Sequence, residues 1–146
     1  RFIDQLMLYN NQSPYTTALL VPDKGALLAR LREQRLDPGS EAGQLAVLSL
    51  LQEEVDTFRE GGAHAGQFPT RWLPAAVSIL GEGFTEQNGL MNSTLKIVRN
   101  RITAQYQSRI EYMYTPEGKP WDNPHNRHII GKFQAGGGSD TPAARP

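Results

Sequence analysis

An uninterrupted apolar run extends from Ala18 to Val21 and ends at Pro22. A strand with no polar face is typical of the centre of a sheet that is covered on both sides. An earlier apolar run, Ile3 to Tyr9, is separated from Tyr15 to Val21 by the turn-forming residues Asn10 to Pro14. Two such runs joined by a short polar turn predict a β-hairpin whose second strand is central.

Two amphipathic helices are predicted after this strand. Asp23 can cap the first, which runs to about Gln34, and Ser40 can cap the second, which runs to about Arg59. The first carries Leu27, Leu28 and Leu31 on one stripe. The second repeats apolar residues at helical spacing, which predicts one buried face made of Leu45, Leu48, Leu51, Val55 and Phe58.

The second half of the chain predicts one more strand and one more helix. Leu73 to Leu80 reads as a strand, and Pro74 near its start places it at an edge or an end of the sheet. Asn100 to Tyr114 reads as a helix with Arg101 and Arg109 on its solvent side, and its buried face comprises Ile102, Tyr106, Ile110 and Met113. The fold class is therefore predicted as α+β, with a small mixed sheet of about three strands flanked by helices.

From Thr115 onward the composition shifts to proline and glycine, including Gly136-Gly137-Gly138. Residues 115–146 are predicted to be an extended or disordered tail. Its apolar residues Trp121, Ile129, Ile130 and Phe133 leave open whether the tail docks on the domain or on a partner.

Composition excludes several classes of function. The 146 residues suffice for one domain, and 15 basic against 15 acidic residues give no field that attracts nucleic acid or an anionic membrane. Cysteine is absent, which excludes disulfides and thiolate chemistry and fits a cytoplasmic location. No apolar run approaches the roughly 20 residues of a transmembrane helix. Because Arg1 directly precedes a strand-like run and no methionine opens the chain, we expect a piece of a longer polypeptide.

Metal and phosphate motifs are incomplete. His64 has no second ligand at metal spacing, and His125 with His128 lacks a third, so no metal site is predicted. Gly81-Glu82-Gly83 has Glu86 where a phosphate loop needs its third glycine.

The stretch Phe84 to Arg99 carries the candidate chemistry. Asn88-Gly89 supplies residues that tolerate positive φ, so the chain can reverse tightly. Lys96 follows at the end of this loop between Leu95 and Ile97. An ammonium on a flexible stem suits a transient carboxylate or phosphate. The alternative is a surface lysine whose stem lies over its apolar neighbours.

Residues 84–114, FTEQNGLMNSTLKIVRNRITAQYQSRIEYMY, and residues 3–23, IDQLMLYNNQSPYTTALLVPD, resemble a known family. They are similar to the carboxy-terminal lobe of the adenylate-forming acyl-CoA synthetases, in particular the long-chain fatty acid–CoA ligase branch. The resemblance covers roughly residues 1–114, and the spacing around Lys96 is its most specific part.

This resemblance implies the roles of several residues. Lys96 matches the family's catalytic lysine, which stabilises the charge that develops as ATP and a fatty acid form an acyl-adenylate. Asn88 and Gly89 are expected to shape the loop, and Thr94 to hold the backbone ahead of the lysine. Arg99 is expected to anchor the loop or to meet a phosphate.

The resemblance also implies partners that lie outside this chain. A large amino-terminal domain of the same polypeptide would carry the pockets for ATP and the acid, and could contact a membrane peripherally. Mg²⁺ and coenzyme A would bind in the full-length enzyme. We therefore expect no cofactor on this fragment and no activity from it alone. Two alternatives stay open: an autonomous α/β interaction or ligand-sensing module, and an enzyme that transfers its acyl group to an acceptor other than coenzyme A.

Overall fold

The computed structural model describes residues 2–58 and 73–133. Three predicted features lie outside this part: the end of the second helix at Arg59, the loop around His64, and residues 134–146 of the tail. In chain order the elements are β1 (Ile3–Tyr9), β2 (Thr17–Pro22), α1 (Lys24–Glu33), α2 (Glu41–Asp56), β3 (Ala76–Ile79), α3 (Arg99–Gln105), α4 (Gln107–Met113) and α5 (Pro124–Gly131).

The three strands form one mixed sheet in the order β1-β2-β3. β1 runs antiparallel to β2, with Tyr9 opposite Thr17 and Leu6 opposite Leu20. β3 runs parallel to β2 because the chain crosses over through α1 and α2 between them. The predicted hairpin, the central second strand and the α+β class are confirmed.

β2 is buried along its whole length and separates two apolar layers. Ala18 and Leu20 face the layer made with α1, α2 and α5, whereas Leu19 and Val21 face the layer made with α3 and α4. Because successive strand residues point to opposite faces, an unbroken apolar run is what a strand between two cores requires.

Helices α1 and α2 begin at the predicted caps. The Asp23 carboxylate accepts the Ala26 amide at 3.1 Å, and the Ser40 hydroxyl accepts the Gly43 amide at 3.0 Å. Leu45, however, is 41% exposed, so its predicted place on the buried face is wrong. The buried stripe of α2 includes Val47 instead, which lies about 200° around the helix from Leu45 at roughly 100° per residue.

β3 is shorter than the predicted strand and occupies an edge of the sheet. Its outward-facing backbone groups are bonded by side chains rather than by a fourth strand. Trp121 Nε1 donates to Ala75 O at 3.3 Å, and Arg109 Nη2 donates to Ile79 O at 3.0 Å. Arg109 is therefore half-buried, which corrects its predicted solvent position, and burial lowers the pKa of its guanidinium.

Asn126 completes this cover of the β3 edge. Its Oδ1 accepts the Ile79 amide at 2.8 Å, and its Nδ2 donates to Val77 O at 3.0 Å and to Trp121 O at 2.9 Å. The side chain is fully buried and thus pairs with the strand as a neighbouring backbone would.

The predicted tail is wrong for residues 115–133, which are packed on the lobe. Asn123 caps α5 by accepting the Asn126 amide, and Pro124 occupies the first turn. Ile130 and Phe133 are buried in the layer that α1 and α2 form. Proline and glycine mark tight turns here rather than disorder, because buried apolar residues follow them.

The predicted helix from Asn100 to Tyr114 is two helices, α3 and α4, that meet at Tyr106. Tyr106 has φ −108° and ψ 24°, outside the helical range, so the regular helix is interrupted there. The buried face is otherwise as predicted, with Ile102, Ile110 and Met113 in the core. Within residues 2–58 and 73–133, none of the helices has the length and hydropathy that a bilayer crossing requires.

Candidate active site

The loop that leads to Lys96 is shaped first by Asn88. Its Oδ1 accepts the amides of Thr85 and Leu90 at 3.0 and 3.1 Å, and its Nδ2 donates to Gly83 O at 2.8 Å. The side chain thereby joins both arms of the turn, as Asn commonly does in tight turns. Gly89 follows with φ +79°, a conformation that favours glycine.

The second half of the loop is a small hairpin closed by the Met91–Ile97 bridge. Asn92 N donates to Lys96 O at 2.8 Å, and Leu95 N donates to Asn92 O at 2.9 Å. The segment is thus a four-residue turn, Asn92 to Leu95, whose last residue has a positive φ of 64°, which is a common form of short hairpin connection.

Asn92 is the centre of this hairpin. Its Oδ1 accepts the Thr94 amide at 3.0 Å, the Thr94 hydroxyl at 2.7 Å and the Lys96 amide at 3.0 Å. Sequence reasoning missed this role, although an Asn ahead of Ser and Thr is a recognisable turn signal. Thr94 acts on the loop through Asn92.

Lys96 is exposed at the base of this hairpin. Its ammonium makes no hydrogen bond or ion pair with any residue of the described ranges 2–58 and 73–133. By contrast, Lys24 Nζ donates to Gly81 O at 2.7 Å, and Lys119 Nζ lies 4.9 Å from the Tyr15 ring centroid. A rigid backbone therefore presents a cation that an external anion can reach.

Arg99 begins α3, and its Nη2 donates to Leu8 O of β1 at 2.6 Å. Of the two roles expected for it, this contact supports anchoring. Val98 N also donates to Leu90 O at 2.9 Å, so the loop is fastened at its exit. The five residues predicted for the site thus lie on one continuous, internally bonded segment, Asn88 to Arg99.

Replacing Asn92 with alanine is expected to loosen this hairpin without unfolding the lobe. Three hydrogen bonds to its Oδ1 are lost, so amide exchange at Thr94 and Lys96 should rise about tenfold. Amide exchange measured by NMR on this chain checks the effect. Ser93→Ala is the matched control, and unchanged exchange in Asn92→Ala would refute the assigned role.

No protein-family model matches the chain. Over 114 residues, 77% of its length, it is 27% identical to long chain acyl-CoA synthetase 8 of Arabidopsis thaliana. It is 26% identical over 115 residues, 79% of its length, to a chloroplastic long-chain-fatty-acid–[acyl-carrier-protein] ligase of the same plant. Among solved structures, the A-PCP didomain of carboxylic acid reductase from Segniliparus rugosus in complex with AMP matches 77% of the chain, with 26% identity and a TM-score of 0.53.

The chain is similar to adenylate-forming enzymes over about 77% of its length. The predicted resemblance and its fold are therefore confirmed, and the match is consistent with a carboxy-terminal lobe of such an enzyme. The chain spans only 16% and 14% of the two curated relatives and 14% of the reductase chain. Because these relatives are large enzymes, an autonomous sensing module is not favoured.

Proposed function

We propose that this chain is the mobile carboxy-terminal lobe of an ATP-dependent acyl-CoA synthetase. The enzyme activates a long-chain fatty acid as an acyl-adenylate and transfers the acyl group to coenzyme A. The observation that carries the proposal is the exposed ammonium of Lys96, unpaired among the described residues, on a hairpin held by Asn92.

The chemistry of the first step needs such a cation. A carboxylate that attacks the α-phosphate of ATP brings two anions together, and negative charge accumulates on the phosphoryl oxygens. A positive charge placed between them stabilises this transition state most when its support is already rigid. The bonded hairpin meets that condition, because little backbone ordering remains to be done when the lysine arrives.

The lysine must also be removable for the second step. Lys96 lies on the lobe's surface and has no bond within the described residues that would hold its ammonium there. A rotation of the whole lobe can therefore bring it to the adenylation site and later withdraw it. Asn88, Gly89 and Thr94 shape the loop in this proposal, and Arg99 fastens it to β1.

Substrates and cofactors are assigned to the larger amino-terminal domain proposed to share the polypeptide. ATP, Mg²⁺, coenzyme A and the fatty acid would bind there or at its junction with this lobe. The part of the chain that the structure describes holds no group of three His, Asp or Glu side chains arranged for a metal ion. We propose a cytoplasmic enzyme, with any membrane contact made by the amino-terminal domain.

A carrier protein is the alternative acyl acceptor. The names of two similar proteins suggest this acceptor. One is an acyl-carrier-protein ligase, and the other is the A-PCP didomain of a carboxylic acid reductase.

The test is to incubate the full-length protein with ATP, Mg²⁺ and palmitate, and then to add either coenzyme A or a holo acyl carrier protein. Acyl-CoA formation with release of AMP supports the synthetase. Acylation of the carrier protein alone would replace coenzyme A with that acceptor, and no adenylate at all would refute the proposal.

The isolated 146-residue chain is expected to be inactive, because the groups proposed to bind ATP and the acid lie elsewhere. ATP–pyrophosphate exchange with palmitate should stay at the level of a protein-free blank. The positive control is the full-length protein under the same conditions. Acyl-adenylate formed by the purified chain would contradict this division of labour.

A further inference from the structure

Leu95 combines two unfavourable features next to the candidate lysine. Its φ is +64°, and its side chain is 70% exposed. Positive φ brings Cβ of an L-residue too close to the neighbouring carbonyl, so glycine is the usual residue at this turn position. A single exposed leucine is ordinary, but an exposed leucine at a glycine position is not.

The other two non-glycine residues with positive φ in the described part of the chain are different. Gln12, at 56°, lies in the turn between β1 and β2, and Arg35, at 58°, follows the end of α1. Both are polar and solvated, as turns and helix ends commonly are. Leu95 is therefore the apolar exception, and it lies in the loop that presents Lys96.

The local bonds account for the backbone of Leu95 but not for its side chain. Leu95 N donates to Asn92 O, and Asn92 Oδ1 accepts the amides on either side, from Thr94 and Lys96. These contacts hold the strained conformation in place. Glycine would satisfy all of them, since each uses only backbone atoms of residues 94–96.

We infer that Leu95 is a positioning residue that docks against an apolar recess on the amino-terminal domain when Lys96 enters the adenylation site. The inference rests on the proposed function. Consecutive Cα atoms are about 3.8 Å apart, so a surface that receives the Lys96 ammonium also comes close to Leu95. Burying that side chain there favours the state in which the lysine is delivered, and the bonded hairpin holds the backbone of the two residues in a fixed arrangement.

Three substitutions in the full-length protein separate the side chain from the backbone. Leu95→Gly and Leu95→Asn tolerate positive φ but remove the apolar contact, whereas Leu95→Met keeps an apolar side chain of similar volume. We expect Gly and Asn to lower kcat/KM for acyl-adenylate formation about tenfold, and Met to stay within about twofold of the parent. Thioester formation from supplied acyl-adenylate should be unchanged in all three.

Stability and a lysine variant complete the test. Leu95→Gly should leave the thermal midpoint of the 146-residue chain unchanged or higher, because glycine relieves the positive-φ strain. The docking role would be overturned, and the proposed function left intact, if kcat/KM for acyl-adenylate formation stayed at the parent's value in Leu95→Gly and Leu95→Asn but fell severely in Lys96→Ala. Equal loss of both half-reactions would also overturn it. Full adenylate formation in Lys96→Ala would refute the proposed function and this inference with it.

Discussion

Lys96→Ala in the full-length protein should lower the rate of acyl-adenylate formation by about 10²- to 10³-fold, the usual effect of removing one preorganised charge or donor from a transition state. The rate of thioester formation from supplied acyl-adenylate should stay close to that of the parent. The difference arises because the repulsion between carboxylate and phosphate exists only in the first step. Single-turnover measurements of each half-reaction check this result.

The matched control is Lys132→Ala, which removes another exposed lysine at the end of α5. We expect both half-reactions to be unaffected in this variant. Lys96→Arg should recover only part of the activity, because a planar guanidinium cannot occupy the place of a compact ammonium without adjustment. A Lys96→Ala enzyme that loses both half-reactions equally would contradict the assigned role.

The largest effect on stability is expected for Asn126→Ala. This change removes the side-chain partner of the Ile79 amide and the Val77 carbonyl, both in buried hydrogen bonds, and of the part-buried Trp121 carbonyl. Each unsatisfied group costs about 1–3 kcal/mol, and relaxation or entering water recovers part of the sum. We therefore expect the free energy of unfolding to fall by about 3 kcal/mol.

Urea unfolding of the 146-residue chain followed by circular dichroism measures this change. His128→Ala, an exposed substitution on the same helix, is the control and should shift the free energy by less than about 0.5 kcal/mol. A loss below about 1 kcal/mol in Asn126→Ala would show that the β3 edge does not depend on this side chain. Self-association of the variant, measured by light scattering, would further indicate an uncovered strand edge.

Patterns confined to single elements predicted most of the fold. The apolar run at Ala18–Val21 located the central strand, and Asp23 and Ser40 located two helix starts, because caps and strand periodicity are local properties. The break at Tyr106 and the exposure of Leu45 were not predictable in this way. Both depend on how a helix sits against its neighbours, which residue spacing alone does not determine.

Residues 115–133 show the limit of composition as a guide. Pro116, Gly118 and Pro120 read as a disordered tail, yet a Cβ at Gly118 would collide with the carbonyl oxygen of Tyr112, so glycine permits close packing there. Asn126 and Arg109 both bond backbone atoms of Ile79 in β3, which lies 47 and 30 residues before them in the chain. Such long-range pairings of side chain with strand edge leave no periodic trace in a sequence.

For the candidate site, the sequence predicted the segment and its lysine but not the hydrogen bonds that hold the hairpin. Asn88-Gly89 is a local turn signal, so the first turn is predictable from these two residues. Two of the three hydrogen bonds to Asn92 Oδ1 come from Thr94 and follow the local turn signal, whereas the third, from the Lys96 amide, depends on the chain returning to Asn92. The exposure of Leu95 could not be anticipated, since leucine at such a spacing is more often buried.

The bonds at the exit of the Lys96 loop have a consequence for kinetics. Because Arg99 is bonded to β1 and Val98 to Leu90, we expect the loop to move together with the lobe. Spectroscopic labels on the loop and on α1 should therefore relax with one shared rate constant, in the microsecond-to-millisecond range of domain motions. Two separate rate constants would mean that the ammonium can travel independently of the body that carries it.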